Sequence, residues 1–399
     1  MMNLIFFDDE NRNNLQPFTL TRTVADIRVG ILTIREKWEN HLSLSNSFSL
    51  TQDYLSQKYP FFAAADNLFI AGSLLPNKTI LEAITQLQDS EAITYNGEIV
   101  AARLNEEGAK NFPNITPKRT FKVENCEKIE AIWNIFQKNE QEIKADFKLL
   151  VRNRKSAPLS PTNLLIGNSE NLFIEKGAKI EGSTLNCEAG PIYVGSNAEI
   201  MEGTLIRGAF ALLEGAQTKL GCKIYGATTI GPHCKVGGEL NNVVLFGYSN
   251  KAHDGFLGNS VIGEWCNLGA DTNSSNLKNN YDFIKIFDFA TRKVRVTNTQ
   301  FCGLFMGDHS KCGINSMFNS GTVVGIACNL FGTNYMRNFI ESFSYGGPQH
   351  GYEVNNLKKV LETAQLVYQR RGIELTTIDK QIIEHLFSLS HPTLVSEKK

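Results

Sequence analysis

The sequence predicts an α/β N-terminal domain followed by a left-handed parallel β-helix and a C-terminal helix. The β-helix is predicted from two observations: aliphatic residues recur every six positions, and a glycine often follows the aliphatic residue directly. Examples of the pair are Val194-Gly195, Ile230-Gly231, Val236-Gly237, Ile262-Gly263 and Val324-Gly325. A period of six matches neither an α-helix nor simple strand alternation, but it fits one flat side of a three-sided coil. We expect the glycine to occupy the corner, where a bulky side chain or a negative φ would not fit.

Length and composition limit the classes of protein to consider. The 399 residues exceed what one compact core usually holds, which indicates at least two domains. A formal net charge of −1 gives no whole-molecule attraction to nucleic acid or anionic lipid, so a phosphate site must be a local cluster. No apolar run has the length of a membrane span and the start lacks signal-peptide features, which predicts a cytoplasmic location.

The eight cysteines include no Cys-x-x-Cys pair. Zinc ligands and disulfides are the alternatives, but seven of the eight lie in the repeat region, where a small apolar side chain fits a core. We interpret them as core thiols in a reducing compartment. A zinc site built from His233, His253 and His309 is disfavoured by their spacing.

Residues 1–155 show the mixed pattern of an α/β domain. The run Leu4 to Phe7 predicts a strand, and Ile31, Ile34, Trp38 and Leu42 have helical spacing. Later segments predict two more strands and a helix: Leu68–Ile70, Ile99–Ala102 and Ile129–Phe147. Residues 156–163 have the composition of a linker.

The β-helix is predicted over residues 164–345, with the charged segment Lys278–Thr299 as an insertion. An irregular β-sandwich is the alternative, but it would show two-residue alternation and hairpin turn pairs. Residues 346–399 are predicted to contain a C-terminal helix at Tyr352–Arg371 and, after Thr376, a tail.

A polar block within the repeats, Gly247–Tyr281, carries candidate chemistry. Lys251 and His253 flank one residue, so on a strand both side chains are expected on the same face, where they could hold a phosphate and remove a proton. Asn276 and the asparagines that follow it could orient sugar hydroxyls. The alternatives are an exposed or structural histidine, a solvated lysine and an asparagine ladder within coil turns.

This block resembles the acetyltransferase half of the bifunctional N-acetylglucosamine-1-phosphate uridylyltransferase/glucosamine-1-phosphate acetyltransferase family. The resemblance rests on Lys251-Ala252-His253, Asn267–Thr272 and Asn276, and continues through Gly307–Lys311 and Gly321–Gly325. The whole chain looks most like a branch of this family with a short N-terminal domain. Asp271 and Leu277 depart from the family pattern, and the arginine-rich turn is missing at Gly208–Gly215, which leaves the acyl acceptor open.

The resemblance implies roles for individual residues. His253 would be the general base, Lys251 would hold the sugar phosphate, and Asn276 with Tyr281 would bind the sugar. Acetyl-CoA would lie along the coil near four residues: Gly307, Asn319, Thr322 and Gly325. Enzymes of this architecture commonly form trimers with sites between subunits, so a homotrimer is expected.

The N-terminal domain offers a second candidate site. Arg22 and Arg28 precede a predicted helix whose N-terminus could receive a phosphate, and Lys37 follows within that helix. The segment resembles the sugar nucleotidyl transferase domain of the same branch, which implies nucleotidyl transfer from UTP or dTTP to a sugar 1-phosphate with Mg²⁺. Alternatively, Arg22 and Arg28 are surface cations paired with nearby carboxylates. The residues leave the Mg²⁺ ligand open among three carboxylates: Asp8, Asp9 and Asp66.

These observations lead to three hypotheses. The first is a bifunctional enzyme of nucleotide-sugar synthesis that takes a sugar phosphate, a nucleotide and acetyl-CoA, with neither nucleic acid nor membrane as a partner. The second retains only the nucleotidyltransferase, with a structural or regulatory β-helix. The third is a trimeric scaffold with decayed sites.

Overall fold

The computed structural model describes residues 2–391 and separates them into two compact units. Unit 1 comprises the chain up to Leu15 together with Thr21–Ile27 and Leu32–Ala131. Unit 2 comprises Gln16–Leu20, Arg28–Ile31 and the chain from Ile132 onward. Two short segments of the N-terminal region are therefore counted with the β-helix.

Unit 1 is built around a six-stranded mixed sheet with the order β2-β1-β3-β6-β5-β7. Strand β1 is parallel to both neighbours, β2 and β3, whereas β6 is antiparallel to β3. The three strands that the sequence predicts lie within β1, β3 and β6. The strands of unit 1 are β1 Asn3–Phe7, β2 Ser47–Leu50, β3 Asn67–Ala71, β4 Leu74–Leu75, β5 Glu91–Tyr95, β6 Glu98–Leu104, β7 Arg119–Lys122 and β8 Glu127–Lys128.

Five helices complete unit 1: α1 Asn11–Asn14, α2 Ile34–Leu42, α3 Asp53–Ser56, α4 Lys78–Gln86 and α5 Glu106–Asn111. Helix α2 begins at Ile34 because Thr33 forms a capping box with Glu36. Its buried face carries Trp38, whose indole N–H donates to the carbonyl of Leu74 at 2.7 Å. The apolar residues that have helical spacing in the sequence therefore form the packing face of this helix.

Unit 2 opens with helices α6 Ile132–Gln137 and α7 Asn139–Val151, so the predicted helix at 129–147 is present as two. A parallel β-helix with three sides follows, as the six-residue register predicts.

Side A contains β9 Leu164–Ile166, β12 Thr184–Asn186, β15 Leu205–Arg207, β18 Lys223–Tyr225, the first parts of β21 Glu239–Gly247 and β23 Phe256–Glu264, then β25 Asn273–Ser274 and β30 Met317–Phe318.

Side B contains β10 Leu172–Ile174, β13 Ile192–Val194, β16 Phe210–Leu212, β19 Thr228–Ile230, the second parts of β21 and β23, β28 Leu304–Met306, β31 Thr322–Val324 and β33 Phe339–Ile340. Side C contains β11 Lys179–Ile180, β14 Glu199–Ile200, β17 Gln217–Thr218, β20 Lys235–Val236, β22 Asn250–Lys251, β24 Asn267–Leu268, β29 Lys311–Cys312, β32 Asn329–Leu330 and β34 Ser344–Gly347. Aliphatic side chains and cysteines from the three sides form one continuous core inside the coils. All seven cysteines of this unit are buried free thiols, as the sequence predicts.

The glycines that follow the aliphatic residues do not have the predicted backbone conformation. Gly231 and Gly325 lack a positive φ, and the left-handed positions of the same corners belong to His233 and Ala327. The glycines are required by close approach instead: a Cβ on Gly231 would lie 2.0 Å from the carbonyl oxygen of Phe246 in the next coil. Glycine is therefore needed at this position because there is no room for a side chain, and not because the backbone has a positive φ.

The insertion and the C-terminal segment complete unit 2. Residues 278–299 leave the coil and include the antiparallel hairpin of β26 Lys285–Phe287 and β27 Val294–Val296. Strand β35 Gly351–Val354 pairs with β34, and helices α8 Leu357–Gln369 and α9 Thr377–Ser390 follow. The predicted tail after Thr376 is thus a capped helix up to Ser390, and its last part, 392–399, lies outside the described residues. Within residues 2–391, no helix combines the length and the apolar character required to span a bilayer.

Candidate functional site

Unit 1 contains a cleft of about 640 Å³ at the edge of its sheet. The carboxyl ends of β1 and β2 and the start of β6 form it, which is the edge where ligands bind in open sheets with parallel strands. Its lining combines carboxylates, one amide, one hydroxyl and apolar walls: Phe7, Asp8, Asp9, Glu10, Leu50, Thr51, Gln52, Gly97, Glu98, Ile99, Phe112 and Pro113.

The two aspartates that follow β1 already have protein partners. Asp8 accepts hydrogen bonds from the guanidinium of Arg12 at 2.6 Å, from the backbone N–H of Val24 at 2.8 Å and from the Thr51 hydroxyl. Asp9 is buried, accepts from the Ser73 hydroxyl and lies 3.4 Å from the ammonium of Lys128. Burial raises the pKa of Asp9, although Lys128 opposes the shift. Both carboxylates therefore hold the loop after β1 in place.

Glu10 is the carboxylate of this loop that faces solvent, with its side chain 55% exposed. It accepts a hydrogen bond of 2.7 Å from Lys128. Partial burial raises the pKa of Glu10, but the hydrogen bond and charge of Lys128 together with a backbone hydrogen bond lower it overall. The ammonium of Lys128 thus lies between Asp9 and Glu10, where a bound cation would otherwise balance them. Within residues 2–391 no three metal-binding side chains form a cluster, and Lys128 already balances Asp9 and Glu10 where a resident Mg²⁺ ion would lie. Asp66, the third candidate, precedes β3 at the other edge and pairs with Arg103 at 2.9 Å.

The predicted phosphate cations are not part of the cleft. Arg22 and Lys37 are buried in unit 1, and Arg28 is buried in unit 2, where its guanidinium donates to the carbonyls of Ile31 and Phe246. The interpretation of Arg22 and Arg28 as surface cations is therefore wrong. The Thr33 hydroxyl and the Glu36 carboxylate form a capping box at the start of α2, and the phosphate site expected there stays a prediction.

Lys251 is buried inside the β-helix, which contradicts its prediction as an exposed phosphate ligand. It pairs with Val236 in the inward column of side C and has no solvent exposure. Its ammonium donates to the carbonyls of His253, Asp254 and Gly237, the last two at 2.7 and 3.4 Å. Burial lowers the pKa of Lys251 to about 8. Lys251 therefore fixes the turn that carries His253 from the inside.

His253 is exposed in the turn between β22 and β23, at the corner where side C meets side A. Lys251 and His253 consequently do not share a face, contrary to the prediction. Asn276 lies at the other end of side A, where its amide donates to the Asn259 side chain at 2.8 Å. The corners at Gly255 and Asn259 are about 13 Å apart along the strand, so one chain does not bring His253 and Asn276 together. Tyr281 is exposed in the insertion.

A cavity of about 490 Å³ lies beside the corner between sides A and B. Its walls contain several side-chain amides, two aromatic rings and small residues: Phe136, Gln137, Glu140, Gly226, Ala227, Asn241, Asn242, Asn259, Thr299 and Phe301. Asn259 donates to Asn242 at 3.0 Å and accepts from Asn276, so of the asparagines for which a ladder is the alternative, Asn276 belongs to one. Sequence reasoning missed this cavity, because its residues come from three coils, two helices and the insertion with the segment after it.

The four residues expected near acetyl-CoA occupy two different corners. Gly307 and Gly325 are stacked after side B, where a Cβ on Gly307 would lie 2.9 Å from the carbonyl of Gly325. Thr322 is buried at the start of side B, and its hydroxyl donates to the carbonyl of Asn319 at 2.8 Å. A role for these residues in acetyl-CoA binding remains a prediction.

Comparison with known proteins gives a family match for the N-terminal part of the chain and several more distant relatives. Residues 4–155 match the family described as "Sugar nucleotidyl transferase". The Bifunctional protein GlmU of Synechococcus elongatus is 26% identical over 180 residues, and that of Methanocaldococcus jannaschii is 29% identical over 107 residues. The first match covers 42% of this chain and 36% of the relative, and the second covers 27% and 26%. The matched part therefore spans about a third or less of these relatives' length.

Among solved structures, AntD, an N-acyltransferase from Bacillus cereus in complex with dTDP and 3-hydroxybutyryl-CoA, is 13% identical. The match covers 53% of this chain and 93% of AntD with a TM-score of 0.25, which is too low to support an argument. The family match and the curated relatives support a transferase. Residues 4–155 are thus similar to the sugar nucleotidyl transferase family, and part of the chain is similar to GlmU proteins.

Proposed function

We propose that unit 1 is a sugar-1-phosphate nucleotidyltransferase and that its cleft holds the nucleotide. One observation carries the proposal: every residue that lines the cleft falls within the stretch that matches the sugar nucleotidyl transferase family. In the reaction a phosphate oxygen of the sugar 1-phosphate forms a bond to the α-phosphorus of UTP or dTTP, and the bond from that phosphorus to pyrophosphate breaks. Because the protein donors do not form a resident metal site, Mg²⁺ is expected to arrive with the triphosphate as part of the substrate.

The exposed amide of Gln52 at the mouth of the cleft is suited to hydrogen-bond a uracil or thymine ring. We expect Gln52→Ala to lower kcat/KM for the nucleotide about tenfold, the cost of one lost hydrogen bond to the substrate. Pyrophosphate release from UTP and dTTP, measured with a panel of sugar 1-phosphates in the presence of Mg²⁺, checks this. Gln57→Ala is the matched control, because Gln57 is exposed after the same short helix α3 and does not line the cleft. No pyrophosphate release across the panel would contradict the proposal.

Acyl transfer at the β-helix is the second candidate, and it completes the bifunctional hypothesis. The amide-rich cavity supports it, because Asn276 joins the cavity through Asn259 and such groups suit sugar hydroxyls. His253 would have to come from a neighbouring copy, which agrees with the expected homotrimer. In that arrangement His253 takes a proton from the sugar amine as the amine attacks the thioester of acetyl-CoA, and the free thiol leaves.

We expect His253→Asn to lower thiol release from acetyl-CoA with glucosamine 1-phosphate at least about 100-fold, the usual contribution of a general base. His350→Asn is the control, since His350 is also exposed but lies on a different turn. A thiol-detecting dye follows the reaction, and analytical ultracentrifugation reports whether a trimer is present. Thiol release that survives in His253→Asn would remove this role, and no release with any amino-sugar phosphate would leave the nucleotidyltransferase as the only enzyme.

A further inference from the structure

Four cations cluster on the outer surface of side C, next to the C-terminal end of helix α8. We call Lys219, Lys235, Arg370 and Arg371 the cationic patch. Gln217, Lys235 and Asn250 are direct neighbours on three successive strands, β17, β20 and β22. The ammonium of Lys219 donates to Gln217 at 2.9 Å, and the guanidinium of Arg371 donates to Asn250 at 3.2 Å. Lys235 therefore lies between two other cations within two strand spacings, about 10 Å.

No salt bridge among the described residues neutralises the patch. In the part of the chain that the structure describes, none of its four residues forms a salt bridge. The neighbouring carboxylate, Glu199, accepts its hydrogen bond from Gln217 instead. Partial burial and the three other cations lower the pKa of Lys235, and Glu199 only partly opposes this shift, which shows that these like charges affect one another. Such an arrangement costs free energy unless an anion offsets it.

The end of a helix accounts for only half of the patch. Cations at a helix C-terminus are favourable, which explains Arg370 and Arg371 after α8. It does not explain Lys219, which follows β17, or Lys235, which lies in β20, and neither gains from that helix unless an anion bridges them. The two elements together present ammonium and guanidinium donors to one small volume, the combination that recognises phosphate.

We propose that the cationic patch is a binding site for the diphosphate group of a small molecule, separate from both candidate catalytic sites. A diphosphate rather than a polymer fits the patch, because the cations are confined to about 10 Å and the chain has a net charge of −1. The same group could come from free pyrophosphate or from a nucleoside diphosphate. The proposal does not depend on the activity of either unit.

Lysine labelling measures whether a ligand covers Lys219 and Lys235 themselves, so the result is specific to the patch even if a diphosphate also binds elsewhere on the protein. The full chain is treated with an N-hydroxysuccinimide ester, with and without pyrophosphate or UDP, and labelling of each lysine is quantified by mass spectrometry. We expect either ligand to lower the labelling of Lys219 and Lys235 about threefold or more, and added salt to weaken this protection. Lys358 is the internal control, because it lies on α8 with its side chain 85% exposed and pairs with Glu362.

Arg371→Gln is expected to abolish this protection, because it removes the guanidinium that closes the patch, whereas Lys358→Gln should leave it unchanged. Circular dichroism confirms that both variants are folded. Protection by UDP but not by pyrophosphate identifies a nucleoside diphosphate as the ligand, and equal protection shows that the phosphates suffice. Equal labelling with and without both ligands, or protection that persists in Arg371→Gln, would overturn the proposal.

Discussion

The β-helix is expected to unfold in mildly alkaline solution, near pH 10, because of its buried thiols. Seven cysteines are buried in unit 2, and burial raises the pKa of each of them. The pKa reaches about 11 for Cys187 and about 12 for Cys222, Cys234 and Cys328, from an ordinary value of 9.0. Below pH 9 these thiols are protonated in the folded and the unfolded chain, so the stability they contribute is fully present.

Above pH 9 the unfolded chain releases these protons while the folded chain retains them, so the free energy of unfolding falls as pH rises towards the folded pKa values. Each thiol costs about 1.4 kcal/mol per pH unit in this window, so these four cost about 5 kcal/mol at pH 10. That is comparable with the whole stability of many domains. Lys251 acts in the opposite direction between its folded pKa of about 8 and its ordinary value, but it offsets only about one thiol.

Far-UV circular dichroism between pH 8 and 11, in the presence of a reductant, measures this transition. In the double variant Cys222→Ala/Cys234→Ala the free energy of unfolding is expected to fall less steeply between pH 9 and 10, although the variant should be less stable at pH 7 because of the small cavities left behind. An identical slope in the two proteins, measured by urea unfolding at each pH, would show that other groups control the alkaline unfolding.

The repeat register can be predicted from the sequence, and the same register also determines where Lys251 lies. Leu245, Lys251 and Leu257 are spaced by six residues, and the two leucines belong to the continuous core. The register alone therefore places Lys251 inside the coil. Because lysine side chains are normally solvated, the sequence prediction places Lys251 on the surface instead. It is stable inside because three backbone carbonyls of the neighbouring turns surround its ammonium.

The candidate sites were harder to predict, because they depend on which corner each residue occupies. The coil repeats are not of constant length: Phe210 pairs with Thr228, 18 residues later, whereas Val236 pairs with Lys251, 15 residues later. Counting along the chain therefore does not show that His253 and Asn276 lie at opposite ends of side A. The cleft of unit 1 was equally hidden, because its walls come from β1, β2 and β6, and only the three-dimensional sheet order brings them together.

Gly231→Ala is expected to destabilise unit 2 by about 3 kcal/mol or more, although the substitution adds one methyl group. The new Cβ would lie 2.0 Å from the carbonyl oxygen and 2.4 Å from the carbonyl carbon of Phe246. Both are backbone atoms, and the N–H of Gly231 donates to the adjacent carbonyl of Leu245 at 2.9 Å, so the two coils cannot separate without losing that hydrogen bond. Urea unfolding followed by circular dichroism measures the change, and thermal unfolding is expected to shift down by about 10 °C.

Gly313→Ala is the matched control for this prediction. Gly313 also follows an inward residue of a coil and has no positive φ, but its added Cβ would meet the Phe331 side chain at 3.4 Å, an ordinary contact. We expect this variant to be as stable as the unmodified protein or slightly more so, because alanine restricts the unfolded chain. Equal destabilisation by the two substitutions would show that the glycines are required for their conformational freedom. A loss confined to Gly231→Ala would instead establish close packing of successive coils as the physical reason for glycine in this repeat.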